Sequence, residues 1–116
     1  MNEVRRILVV ADDVMECSDL RLAFGQLPPL WKVYFSSSEV DALSYLDQVE
    51  FDIIFADLSK GMLAGAQFLH DVWARRPHII RFLLGTKMDP DIMLTCVMAS
   101  HQFLLKPVEA ASIQAA

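Results

Sequence analysis

The sequence predicts an α/β domain in which five parallel strands form one sheet covered by helices on both faces. Short continuous apolar runs alternate along the chain with segments of helical period. Strands buried on both faces read as such unbroken runs, whereas a half-exposed sheet would alternate. Three of the runs also stop at a charge. Ile7-Leu8-Val9-Val10 leads through Ala11 to Asp12 and Asp13, Phe51-Asp52-Ile53-Ile54-Phe55-Ala56 ends at Asp57, and Phe103-Leu104-Leu105 ends at Lys106-Pro107. In a parallel sheet these three ends meet at the carboxyl edge, where open α/β sheets bind ligands.

Each element has its own signal. Residues 5–10 form the first buried run. Residues 16–27 carry Cys17, Leu20, Phe24 and Leu27 on one helical face, and Pro28-Pro29 ends that helix. From Trp31 to Phe35 the pattern alternates, with Trp31, Val33 and Phe35 on one side, as an edge strand would. Ser38 followed by Asp41 resembles a capping box, opening a helix that bears Val40, Leu43 and Leu46. The third strand spans 51–56. Gly61 and Gly65 then punctuate a loop. A helix over 65–75 turns Phe68, Leu69 and Val72 inward, with Trp73 a further candidate, and Pro77 breaks it. Ile79 to Leu84 is the fourth strand, Asp89 to Ala99 a helix opened by Pro90, and Gln102 to Leu105 the fifth strand. A last helix begins at Glu109. Strands of this length with short connections suit a doubly wound domain.

Composition excludes several classes. The 116 residues are 54% hydrophobic and 22% charged, which is too apolar for disorder and ample for one core. A net charge of -5 gives no electrostatic footprint for nucleic acid. No apolar stretch reaches the roughly 20 residues that span a bilayer. The early charges Glu3, Arg5 and Arg6 are unlike a signal peptide, so a cytoplasmic protein is expected. Cys17 and Cys96 have no metal-ligand spacing and read as reduced core thiols. His70, His78 and His101 are scattered and suggest no metal site.

These residues resemble the receiver domain of bacterial two-component response regulators. The likeness covers the whole chain. It rests on the acid after Ile7-Leu8-Val9-Val10, on Asp57 ending the third strand, on Gly65 eight residues beyond it, and on Lys106-Pro107 with Phe103 three places before the lysine. The resemblance implies a flavodoxin-like (βα)5 sheet of order 2-1-3-4-5, with Asp12 and Asp57 on neighbouring strands. It implies that Asp57 accepts a phosphoryl group from a histidine kinase and that Asp12, Asp57 and the backbone carbonyl of Ser59 hold Mg2+. Lys106 would pair with a phosphoryl oxygen, and Thr86 and Phe103 would carry the conformational switch. The physical need is plain, because a carboxylate is repelled by a phosphoryl group of like charge until a metal and an ammonium neutralise it.

Four departures stand out. The family usually has two acids at the end of the first strand. With Val9-Val10 in register, these positions are Ala11 and Asp12, so one acid is missing. Using Asp12 and Asp13 instead would need a bulge. The fourth strand usually ends in Ser or Thr, yet here Gly85 precedes Thr86. The loop Leu58-Ser59-Lys60-Gly61 lacks the usual Met-Pro, and Ala64 replaces a common acid.

Two hypotheses follow. One is a Mg2+-dependent phosphoryl acceptor that regulates an attached output domain and has at most slow autodephosphorylation. The other is a degenerate pseudo-receiver, kept as a phosphorylation-independent interaction or dimerisation module. Ala11 and Gly85 favour the second; Asp12, Asp57 and Lys106 favour the first. A homodimer would form through the last two strand–helix units, and the helix over 89–99 with the last strand is the family's usual partner surface. Met88, Met93 and Met98 sit around that helix, and core filling is their default role. An aspartate-nucleophile phosphohydrolase needs a second acid where Ser59 stands. A flavodoxin-type cofactor carrier needs a phosphate loop where Val14, Met15 and Glu16 stand. Pro107 to Ala116 leaves room for only a short last helix, so residues 1–116 are expected to be the receiver domain of a longer regulator. The segments 77–84 and 99–107 look most like receivers attached to HD-type (HDOD or HD-GYP) output domains.

Overall fold

The computed structural model describes residues 4–12, 20–57, 62–85, 90–91, 94, 102–105 and 113. The strands are β1 (Arg5–Ala11), β2 (Trp31–Ser36), β3 (Ile53–Asp57), β4 (Ile80–Gly85) and β5 (Gln102–Leu105). They form one sheet of order β2-β1-β3-β4-β5, and every neighbouring pair is parallel. The expected doubly wound architecture and strand order are therefore present. Strand ends differ from the sequence-based bounds by one or two residues.

The sheet sorts its side chains by alternation. Leu8, Val10, Ile54, Ala56 and Leu83 face one core with Phe51 and Ile79. Ile7, Val9, Ala11, Ile53, Phe55, Phe82 and Leu84 face the other. Both sides of β1 and β3 are dry, which is why these strands read as unbroken apolar runs. Two helices, α1 (Glu39–Gln48) and α2 (Met62–Arg75), cover the first face through Ala42, Leu46, Ala66, Phe68, Leu69 and Val72. Helical residues 20–24 cover the second through Leu20, Ala23 and Phe24, joined by Leu27 and Ile113. The second core is tied by rings: Phe55 stacks on Phe82 at 4.9 Å and meets Phe24 edge-on at 5.0 Å.

Local chemistry sets the helix ends. Ser38 caps α1, its hydroxyl accepting from the Asp41 N–H at 3.1 Å. The reciprocal half of a capping box is not made by Asp41; the Ser38 N–H instead approaches Ser36 Oγ at 3.5 Å. The Arg76 N–H still donates to the Val72 carbonyl at 2.8 Å, and Pro77, with no N–H to offer, ends the run.

Three expectations are corrected. Val40 is 77% exposed, and Ala42 takes the buried place beside Leu46. At 3.6 residues per turn Val40 lies about 200° round the helix from Ala42, on the solvent side. Trp73 is likewise exposed, with its ring 5.4 Å from that of His70. The helix expected from residue 65 starts at Met62, so Gly65 sits within α2 rather than in a loop.

Arg81, at the amino-terminal end of β4, is a buried charge. Its Nη1 donates to the carbonyls of Ile79 at 2.8 Å and Pro77 at 3.3 Å. Burial lowers its pKa from the ordinary arginine value.

Candidate functional site at the carboxyl edge of the sheet

The register brings four strand ends to one edge. Ala11, the last residue of β1, pairs with Asp57, the last of β3. Gly85, the last of β4, pairs with Leu105, the last of β5. Because β2 lies on the far side of β1 and β4 beyond β3, the chain winds in opposite directions from the β1–β3 boundary. A topological switch point of this kind leaves a crevice outside the strand ends, and Asp57 stands at it.

Asp57 is only 7% exposed. A carboxylate so enclosed is unusual, because removing it from water costs several kcal/mol unless it is paired. Asp12, the residue after β1, is half-buried. The two acids thus belong to the ends of adjacent strands, as the sequence predicts. The ladder runs without interruption from Ile7 opposite Ile53 to Ala11 opposite Asp57. No bulge shifts Asp12 into the place of Ala11, so the ungapped register holds. Ala11 is 3% exposed and packs into the core with Leu20, Phe24 and Phe55. A methyl group therefore occupies the rung facing Asp57.

Gly85 is buried and belongs to β4 itself, so the fourth strand ends without a hydroxyl. Phe103 lies in β5 opposite Leu83; its side chain is outside the described set. Ser59, Thr86 and Lys106 also fall outside the described residues, as do Asp13, Cys17, Lys60, Met88, Met93, Cys96, Met98 and His101. His70 and His78 are exposed and remote from the strand ends. Among the described residues no group of three His, Cys, Asp or Glu could hold a metal ion. Two carboxylates at one edge nevertheless suit a hard cation such as Mg2+, which is commonly held by one or two carboxylates with water and phosphate oxygens completing its shell.

Solved structures similar over nearly the whole chain share this fold. The Vibrio cholerae chemotaxis protein CheY4 matches with a TM-score of 0.80 at 16% identity, over 97% of this chain and 94% of its own. The signal receiver domain of an HD domain-containing protein from Pseudomonas fluorescens matches with a TM-score of 0.80 at 20% identity, over 97% and 90%. A putative pilus assembly-related protein from Burkholderia pseudomallei matches with a TM-score of 0.81 at 18% identity, over 99% and 87%. This chain has the fold of a CheY-like receiver domain. No protein-family model and no curated protein matches the sequence. Among the described residues no helix is long and apolar enough to cross a membrane.

One feature of the receiver fold here escaped the sequence. Gly65 looked like a loop breaker, yet it lies buried in α2 against β4. The neighbouring run Ala64-Gly65-Ala66 was the available signal, since three small residues on a helix allow a close approach to a sheet.

Proposed function

We propose that this chain is a cytoplasmic signal-receiver module that takes a phosphoryl group on Asp57 from a histidine kinase and regulates an attached output domain. The observation that supports this most is the place of Asp57. It is a nearly buried carboxylate at the end of β3, at the switch point of a receiver fold, with Asp12 ending the adjacent strand. In the transfer, a carboxylate oxygen of Asp57 attacks phosphorus. The bond from phosphorus to the kinase imidazole breaks, its electron pair returns to the ring nitrogen, and an acyl phosphate forms. Asp12 and Asp57, with the Ser59 carbonyl, would hold Mg2+, which supplies charge neutralisation for the phosphoryl oxygens. Lys106, following the β5 residue that pairs with Gly85, would contact a phosphoryl oxygen. Thr86 and Phe103 are the proposed switch residues. An HD-type output domain is proposed on the likeness of segments 77–84 and 99–107, with which the receiver of the Pseudomonas fluorescens HD-domain protein is in keeping.

A second reading has its own observations. Ala11 opposite Asp57 removes one acid from the usual metal set, and Gly85 removes the strand-end hydroxyl. Both favour a pseudo-receiver that keeps the fold for contacts, including a homodimer through the last two strand–helix units.

Intact mass after incubation with acetyl phosphate and Mg2+, with Asp57→Ala beside the wild type, separates the two. The phosphoacceptor reading expects one phosphate adduct on the wild type alone. A folded wild type that stays unmodified, with acetyl phosphate and with a candidate kinase, would leave the pseudo-receiver.

A further inference from the structure

α2 follows Asp57 after residues 58–61, so where its first turn rests determines where that short segment must end. Gly65 lies in this turn and is buried. A Cβ placed on it would stand 2.5 Å from Leu83 Cδ1, far inside van der Waals contact. The start of α2 is therefore pressed onto the Leu83 side chain, closer than a Cβ at position 65 could come without that methyl group moving.

Leu83 has little room to yield. It is 1% exposed and shares a core with Ala56, Ala66, Phe68, Leu69 and Val72. It also sits at the centre of a row across the sheet, opposite Ala56 on one side and Phe103 on the other. Ala56 is the residue before Asp57. The contact thus joins the start of α2, the centre of β4 and the end of β3.

We propose that Gly65 is a positioning residue for the Asp57 site. By seating the first turn of α2 on Leu83, which lies opposite Ala56, it fixes the end of β3 that carries Asp57. The inference rests on Asp57 being the phosphoacceptor, but its structural half can be tested separately. A methyl at position 65 lifts the turn away from β4 and disturbs the strand end. Shortening Leu83 restores the room.

The test compares wild type, Gly65→Ala, Leu83→Val and the double variant. Two readouts are used: the rate of Asp57 phosphorylation by acetyl phosphate with Mg2+, and the backbone amide shifts of Ala56 and Asp57. Gly65→Ala should slow phosphorylation by about tenfold, and the double variant should return to within about twofold of wild type, since small displacements of a reacting group cost rate steeply. The amide shifts should move and return in parallel. Should Gly65→Ala fail to fold, a double variant that folds and is phosphorylated normally gives the same support. A folded Gly65→Ala with wild-type rate and shifts overturns the proposal, and so does a double variant that recovers neither. If the wild type takes no phosphate, the phosphoacceptor reading falls, while the shifts of Ala56 and Asp57 still decide whether Gly65 sets the strand end.

Discussion

Ala11 stands directly opposite Asp57 at the last rung of the β1–β3 ladder. The pairing joins a core methyl to the candidate nucleophile. It leaves Asp12, one residue further on, as the acid contributed by the first strand. On the proposed reading, a divalent cation would meet two carboxylates among the described residues, with water completing its shell.

Restoring the missing acid tests this arrangement. Ala11→Asp places a carboxylate where the side chain is 3% exposed. In EDTA the variant should be less stable than wild type by about 1–3 kcal/mol, because the added charge is desolvated and repelled by Asp57. Saturating Mg2+ should return about 2.7 kcal/mol once the ion reaches a hundred times its dissociation constant. Urea unfolding with and without Mg2+, followed by far-UV circular dichroism, gives both values. Equal stability of variant and wild type in EDTA would count against the buried geometry.

A hydroxyl can be returned to the end of β4 in the same way. Gly85→Ser puts one on the residue that pairs with Leu105. The expectation is that phosphorylation then perturbs amide shifts along β5, including Phe103, more widely than in the wild type. Heteronuclear spectra of both proteins before and after acetyl phosphate would show it. Identical perturbation maps would mean that the switch does not need a group at this position.

The sheet was legible because burial on both faces leaves a plain signature: Ile7 to Val10 and Ile53 to Ala56 have no polar residue to interrupt them. Adjacency of Asp12 and Asp57 followed from the strand order that the resemblance to receiver domains implies. The start of α2 was not legible. Glycine costs about 1 kcal/mol in a helix interior relative to alanine, so Gly61 and Gly65 read as breaks. What outweighs that cost at Gly65 is a tertiary contact with Leu83, which no local pattern contains. Val40 misled for a related reason. Positions 40, 43 and 46 approximate a helical stripe, but Ala42, too small to dominate an apolar pattern, marks the true buried side with Leu46. The parts of the site carried by Ser59, Thr86 and Lys106 fall outside the described residues.

The second core makes a sharper energetic prediction. Phe55 is fully buried between Phe24 and Phe82. Phe55→Ala should cost about 3–5 kcal/mol, the usual range for emptying a core aromatic site. Equilibrium urea denaturation measures it. A loss below 1 kcal/mol would mean that the ring cluster is not packed as described.

The α1 helix offers a paired control. Ser38→Ala removes the hydroxyl that caps the Asp41 N–H and should cost about 1 kcal/mol. Val40→Ser, two residues on but in solvent, should stay within about 0.5 kcal/mol. Thermal melts of the two variants should order them so; a reversal would put Val40 in the core.

The placement of the two tryptophans has a practical consequence. Trp31 opens β2 beside Arg5, and Trp73 lies exposed in the last turns of α2, near His70. Both belong to the amino-terminal end of the sheet, the far end from Asp57. Intrinsic fluorescence should therefore follow unfolding faithfully while staying silent to a cation or a phosphoryl group arriving at the opposite rim. A titration read by quenching would return a flat line whether or not anything bound, so occupancy has to be read by mass, heat or nuclear shifts.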